Sequence, residues 1–128
     1  MKFLVVDDSA LSRRMLRSVL EQLGHAVVEA ADGSAGLERY VLERPDFVFL
    51  DLVMPGMSGF EALTHLRALD PEARVIICSA DVQASTRDRV KKGGALAMLN
   101  KPVNVEQVSA KLNSILGGQD VWATATDQ

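Results

Sequence analysis

Cysteine and long apolar runs are both scarce in this chain, and each scarcity excludes a class of protein. The single cysteine among 128 residues, Cys78, cannot close an internal disulfide. It sits in the apolar run Val75 to Cys78, which predicts a buried and inert thiol rather than a reactive one. That run and others such as Phe47 to Leu50 are far short of the roughly 20 residues needed to span a bilayer. No membrane association is expected. The opening residues reach Asp7 and Asp8 almost at once, which breaks any signal-peptide apolar region, so a cytoplasmic protein is expected. Positive charge is also in short supply. Fourteen Lys and Arg stand against 17 Asp and Glu, a net charge of −3, which excludes a surface built to grip nucleic acid. The two histidines, His25 and His65, stand apart from each other and from every acidic cluster, and neither is given a metal or catalytic role.

What remains is ordinary globular material, 48% hydrophobic and 24% charged, enough for one domain. Short apolar runs alternate with longer stretches of helical period, the mark of βα units on a parallel sheet and so of an α/β fold. The runs Lys2 to Val6, Ala26 to Glu29, Asp46 to Leu50, Arg74 to Cys78 and Leu96 to Leu99 predict five strands, apolar throughout because helices cover both faces. The first helix carries Leu11, Met15, Val19 and Leu23 as its apolar stripe, with Ser9 as N-cap and Gly24 past its end. The second starts at Asp32-Gly33, turns Leu37, Tyr40 and Val41 inward, and stops before Pro45. The third opens on Ser58-Gly59-Phe60-Glu61, a capping box. The fourth, about 83–92, has little apolar stripe and is expected to be loosely held. The fifth runs from Asn104 through Val108, Leu112 and Ile115 to Gly117-Gly118. Residues 1–116 form the expected domain, and residues 117–128 an aperiodic, disordered tail in which Trp122 is the one aromatic.

An open parallel sheet places its ligand site at the carboxyl edge of the strands, where the strand order reverses. Asp7-Asp8 follow the first strand, Asp51 the third, Ser79-Ala80 the fourth, and Asn100-Lys101-Pro102 the fifth. If the first and third strands are neighbours, three carboxylates meet in one small volume and repel unless a cation joins them. Oxygen ligands without His or Cys favour Mg²⁺, Mn²⁺ or Ca²⁺, and Mg²⁺ characteristically keeps waters and reaches for phosphate. Lys101 adds a compact positive charge and Ser79 a hydroxyl, both suited to phosphoryl oxygens. Phosphoryl transfer onto a carboxylate, with Asp51 as nucleophile, is the chemistry this pattern suggests. A purely structural reading competes with it, since Asp8-Ser9 can be explained as helix capping. Asp51 cannot, because no helix begins until Ser58. The Arg13, Arg14 and Arg17 group reads either as a solvated face or as a docking surface for an acidic partner.

At these residues the sequence resembles the receiver domain of two-component response regulators, of the stand-alone, chemotaxis-regulator-like type. The resemblance is carried by Val5-Val6-Asp7-Asp8-Ser9, by Leu50 to Gly59, by Ile77-Cys78-Ser79-Ala80, by Gly94-Ala95 and by Leu99-Asn100-Lys101-Pro102. It implies a doubly wound, flavodoxin-like sheet of order 2-1-3-4-5 with five flanking helices. It further implies that Asp51 accepts a phosphoryl group from a phosphohistidine of a sensor kinase or phosphotransfer protein. Mg²⁺ would be bound by Asp8, Asp51 and the Val53 carbonyl, with Asp7 acting mostly through water. Ser79, Ala80 and Lys101 would hold the phosphoryl oxygens, and Lys101-Pro102 would be a cis peptide.

Against that pattern, Met98 stands where the family has a switch aromatic, so Ser79 and Met98 would form a less sharply two-state switch. Ser79 replaces the commoner threonine. Val53 stands where a polar side chain is frequent, and a long-lived aspartyl phosphate is expected from it. The resulting expectation is a monomeric signalling phosphoacceptor that controls a downstream effector protein by changing its surface around the fourth helix, fifth strand and fifth helix. Two alternatives are a degenerate receiver acting as a phosphate-independent scaffold and an aspartate-nucleophile phosphatase. The second needs a further Asp where Val53 stands.

Overall fold

The computed structural model describes residues 1–122. Ten elements alternate along the chain: β1 Lys2–Val6, α1 Ala10–Gln22, β2 Ala26–Ala30, α2 Gly33–Glu43, β3 Phe47–Leu50, α3 Gly59–Leu69, β4 Val75–Ser79, α4 Ala84–Lys92, β5 Ala97–Asn100 and α5 Val105–Leu116. The strands form one parallel sheet in the order β2-β1-β3-β4-β5. Strand order reverses between β1 and β3, as the doubly wound reading requires. Ser79 and Asn100 close β4 and β5 instead of following them. No helix among the described residues is long and apolar enough to cross a membrane.

The two-sided apolar strands have the origin the sequence suggests. Side chains alternate across the sheet, so Leu4, Val6, Val48, Leu50, Val75 and Ile77 enter one hydrophobic layer with residues of α2, α3 and α4. Phe3, Val5, Phe47, Phe49, Ile76 and Cys78 enter the other, under α1 and α5. Cys78 is buried, and that burial pushes its thiol pKa well up, so it is the inert core thiol that was expected.

Helix boundaries follow local chemistry. Ser9 caps α1 by accepting from the Ser12 N–H, and Asp32 caps α2 by accepting from the Ala35 N–H. Ser58 and Glu61 complete the capping box of α3, and Asn104 with Gln107 completes another on α5. Gly24 adopts φ 88°, the left-handed turn that ends α1.

Three apolar assignments are corrected. Leu11 and Met15 on α1, and Val41 on α2, are exposed, while the buried residues of α1 are Leu16, Val19 and Leu20. Successive i, i+4 steps drift by about 40° around a helix of 3.6 residues per turn, so a stripe drawn from Leu11 by fours slides off the contact face. Val41 lies one residue beyond Tyr40, off the face on which Gly36 and Tyr40 are buried. Helix α4 is sparsely buried, with only Thr86 and Val90 inside and no side-chain cap at Gln83. Arg89 steadies one flank by lying over the Phe60 ring, 3.7 Å from its centroid. The segment expected as a tail is described as far as Trp122; Val121 is buried against the α1–α5 layer, and the remainder lies outside the described residues.

Two contacts make testable demands on this architecture. A Cβ at Gly59 would run into the Asp51 carbonyl oxygen and the Leu52 Cα, both backbone atoms. Gly59→Ala is therefore expected to cost about 1–3 kcal/mol, measured by chemical denaturation. Tyr40 donates its hydroxyl to Asp70 Oδ2 at 2.7 Å, tying α2 to the end of α3. Burial, then this hydrogen bond and the Asp70 charge, push the phenol pKa up to about 12. An acid held protonated in this way adds stability below its unfolded pKa, and the contribution disappears as pH rises through the folded one. Ultraviolet titration of the single tyrosine is expected to show ionisation near 12, with stability falling over the alkaline approach to it. A midpoint at the ordinary phenol value contradicts the contact.

Candidate functional site

Ladder bonds at the carboxyl edge of the sheet carry the site. The register pairs Val6 with Leu50, and the next residue of each strand is an aspartate. The Asp7 N–H donates to the Ala30 carbonyl at 3.1 Å and the Asp51 N–H to the Val6 carbonyl at 3.0 Å. Both side chains thereby leave adjacent strands at one level. The Lys101 N–H is fixed likewise by the Ser79 carbonyl at 3.0 Å, and the Lys101–Pro102 bond is cis.

Asp7, Asp8 and Asp51 each bring a carboxylate oxygen within 4.8 Å of the others. Asp7 and Asp51 are buried, whereas Asp8 is exposed. Lys101 Nζ donates to Asp7 Oδ2 at 2.7 Å and lies 3.3 Å from Asp51 Oδ1. The other Asp7 oxygen accepts from the Ser9 N–H at 2.9 Å. One lysine therefore faces three carboxylates. Like unit charges near a protein surface repel by about 4 kcal/mol at roughly 4 Å, so an uncompensated negative charge remains. Asp51 registers it. Burial raises its pKa, the Lys101 charge opposes that rise, and repulsion from Asp7 and Asp8 adds to it, for a net upward shift. At Lys101 burial disfavours the charge, but the Asp7 hydrogen bond and the Asp51 and Asp7 charges prevail and raise its pKa.

Of the Asp8-Ser9 pair, Ser9 supplies the helix cap, while the Asp8 carboxylate has no hydrogen bond or ion pair among the described residues. Ser79, at the end of β4, is buried, and its Oγ accepts from the Asp81 N–H at 3.0 Å. Ala80 is exposed and lines a cavity of ≈ 310 Å³ with Asp7, Met15, Cys78, Lys101 and Pro102. Val53, two residues past Asp51, is 76% exposed. Met98 is not at this edge; it packs on the hydrophobic layer beneath α2, α3 and α4.

Other partners were not legible from the sequence. Arg13 donates to the Asp7 carbonyl at 2.6 Å and pairs with Glu29 at 3.1 Å. Arg17 pairs with the same Glu29 at 2.7 Å and with Glu21 at 3.2 Å. The Arg17 hydrogen bond leads the depression of the Glu29 pKa. Two of the three arginines on α1 are thus already engaged by acids of this chain, which favours the solvated-face reading over the docking surface. The available signal was Glu29, a lone acid at the end of an otherwise apolar strand.

This arrangement has counterparts. The sequence model of the response regulator receiver domain matches residues 3–113. The chemotaxis protein CheY of Thermotoga maritima is 35% identical over 115 residues, covering 89% of this chain and 96% of that protein. Protein PilH of Pseudomonas aeruginosa is 37% identical, covering 91% and 98%. Among solved structures, the CheX–CheY–BeF3–Mg complex from Borrelia burgdorferi aligns with a TM-score of 0.87 at 28% identity, covering 91% of this chain and 89% of that one. With sheet order, edge carboxylates and the match over nearly the whole described length in agreement, the chain belongs to the response regulator receiver domain family, in its CheY-like form.

Proposed function

We propose that this protein is a phosphorylation-controlled signalling switch in which Asp51 accepts a phosphoryl group from a phosphohistidine on a sensor kinase or phosphotransfer protein. The observation that carries the reading is the convergence of the Asp7, Asp8 and Asp51 oxygens within 4.8 Å, with Lys101 already seated between two of them. A purely structural role has no use for that much converging like charge, whereas a cation and a phosphoryl group both need it.

The donor set fits Mg²⁺: carboxylates alone, one of them exposed and free to bind, with neither His nor Cys in the cluster. Asp8, Asp51 and the Val53 carbonyl are assigned as direct ligands, and Asp7, which already holds Lys101 and Ser9, acts through water. When bound, the ion neutralises the charge that develops on the transferring group. An Asp51 carboxylate oxygen attacks phosphorus in line, the P–N bond to the donor imidazole breaks, and the imidazole leaves with the electron pair. Lys101, the Ser79 hydroxyl and the backbone N–H of Ala80 hold the phosphoryl oxygens. In the reverse half of the cycle, water attacks phosphorus and releases inorganic phosphate, restoring the Asp51 carboxylate. The Borrelia counterpart was solved with BeF3 and Mg, and in complex with CheX, which supports the same ligands and a protein partner here. The output is a surface change read by an effector protein in the cytoplasm. A phosphatase of the aspartate-nucleophile type has less support, because the position that would supply its general acid is the exposed, apolar Val53.

With acetyl phosphate and Mg²⁺, intact mass spectrometry is expected to show one added phosphoryl group on the wild-type chain. Asp51→Asn, or wild type with a chelator, is expected to show none. Equal labelling of wild type and Asp51→Asn sinks the assignment. The open, apolar surface at Val53 offers nothing to orient an attacking water, so a long-lived phosphoryl state follows. Val53→Asn is expected to shorten that lifetime roughly tenfold, about 1.4 kcal/mol of barrier, read by phosphate release after the donor is removed. An unchanged decay rate counts against the role given to Val53.

A further inference from the structure

Helix α4 buries little, yet both of its arginine flanks rest on aromatic rings. Arg89 lies over Phe60, and on the opposite flank Arg87 lies over Trp122, 5.5 Å from the ring centroid. Trp122 reaches that place because the chain turns back after α5. Gly118 reverses the backbone at φ 76°, and the Gln119 N–H donates to the Ser114 carbonyl at 3.0 Å. Val121 is buried beside α5, and Trp122 packs on both hydrophobic layers of the sheet. The segment therefore crosses the open edge of β5, the sheet edge that no further strand covers. Trp122, Met98, Lys111 and Arg87 share a cavity of ≈ 220 Å³ there. Burial, reinforced by the Arg87 charge, lowers the Lys111 pKa, consistent with a covered position.

A polar path reaches the same arginine from the carboxylate site. Ser79 Oγ accepts from the Asp81 N–H at 3.0 Å. Asp81 Oδ2 accepts from the Thr86 hydroxyl at 2.8 Å, and Thr86 is buried in the first turn of α4. Arg87 is the next residue. The N-cap Gln83 makes no side-chain cap, and Asp81 positions the turn by accepting from the Thr86 hydroxyl and, at 3.1 Å, from the Gln83 N–H.

We propose that residues 119–122 form a strap across the face made by α4, β5 and α5, clasped by Arg87 on Trp122, and that occupancy of the Asp51 site opens the clasp through Asp81 and Thr86. This rests on the reading of Asp51 as the phosphoryl acceptor. A Ser79 hydroxyl drawn toward a phosphoryl oxygen leaves the Asp81 N–H. The turn at Asp81 relaxes, Thr86 moves with it, and Arg87 withdraws from the ring. A protein that binds this face competes with the strap, so opening it favours that partner.

Trp122 is the only tryptophan, so its emission and its quenching by acrylamide read the strap directly in the full chain. The probe is beryllofluoride with Mg²⁺, a stand-in for the phosphoryl group, with its binding measured separately by calorimetry. Saturation is expected to shift wild-type emission to the red and raise quenching. Arg87→Gln is expected to move the strap equilibrium toward the open form by roughly two- to fivefold without the probe. Thr86→Val is expected to bind the probe with unchanged stoichiometry while its emission no longer responds. Probe binding with unaltered wild-type emission overturns the coupling but leaves the acceptor reading intact. Failure of the probe to bind overturns both. Wild-type emission and quenching from Arg87→Gln overturn the clasp.

Discussion

Two carboxylates fixed at one level by backbone ladder bonds, Asp7 and Asp51, meet a third from the exposed Asp8, and one lysine faces all three. That constraint organises the carboxyl edge of the sheet. Asp7 and Asp51 are placed by N–H bonds to the Ala30 and Val6 carbonyls, so the chain cannot lose the cluster without breaking the sheet. Burial first, and then the Asp7 and Asp8 charges, raise the Asp51 pKa against the pull of Lys101. A cation placed among these oxygens would relieve their repulsion without any rearrangement of the strands.

The rest of the fold serves that poise. Adjacency of β1 and β3 requires the crossover to β2 on one side and the run to β4 and β5 on the other. Helices on both faces then bury the aromatic and aliphatic side chains of every strand. Close approach of α3 to the chain after β3 requires Gly59, whose missing Cβ leaves room for the Asp51 carbonyl. Stability and site geometry meet at that residue. Beyond β4 the chain forms α4, which buries only Thr86 and Val90. Helix α4 relies on two arginine–ring contacts where other helices have an apolar stripe, and such lightly held elements are the ones that rearrange.

Much of this was legible in the sequence because the information is local. Apolar runs named the strands, the Ser58–Glu61 capping box located α3, and polar residues following each run named the members of the site. The strand order and the cis bond at Lys101–Pro102 came from the family resemblance, since neither can be read from periodicity. What escaped was non-local or angular. Leu11 and Met15 share a spacing with Val19 but not a direction, because i+4 steps rotate around the helix. Glu29 gathers Arg13 and Arg17 only after β2 is laid beside β1 and α1 folds over them. Trp122, which belongs to a stretch with no period at all, finds Arg87 through tertiary packing alone. Residue identity told what could react at Ser79; it did not tell that its hydroxyl already holds the Asp81 N–H.

The central claim is that the carboxylate cluster is a divalent cation site whose ligands come from two strand ends. A two-dimensional amide-resonance titration of the full chain with Mg²⁺ tests it most directly. The account predicts saturable shifts concentrated at Asp7, Asp8, Asp51 and Val53, with residues at the opposite end of the sheet unmoved. Shifts scattered over the exposed acids, or none that saturate, would contradict it.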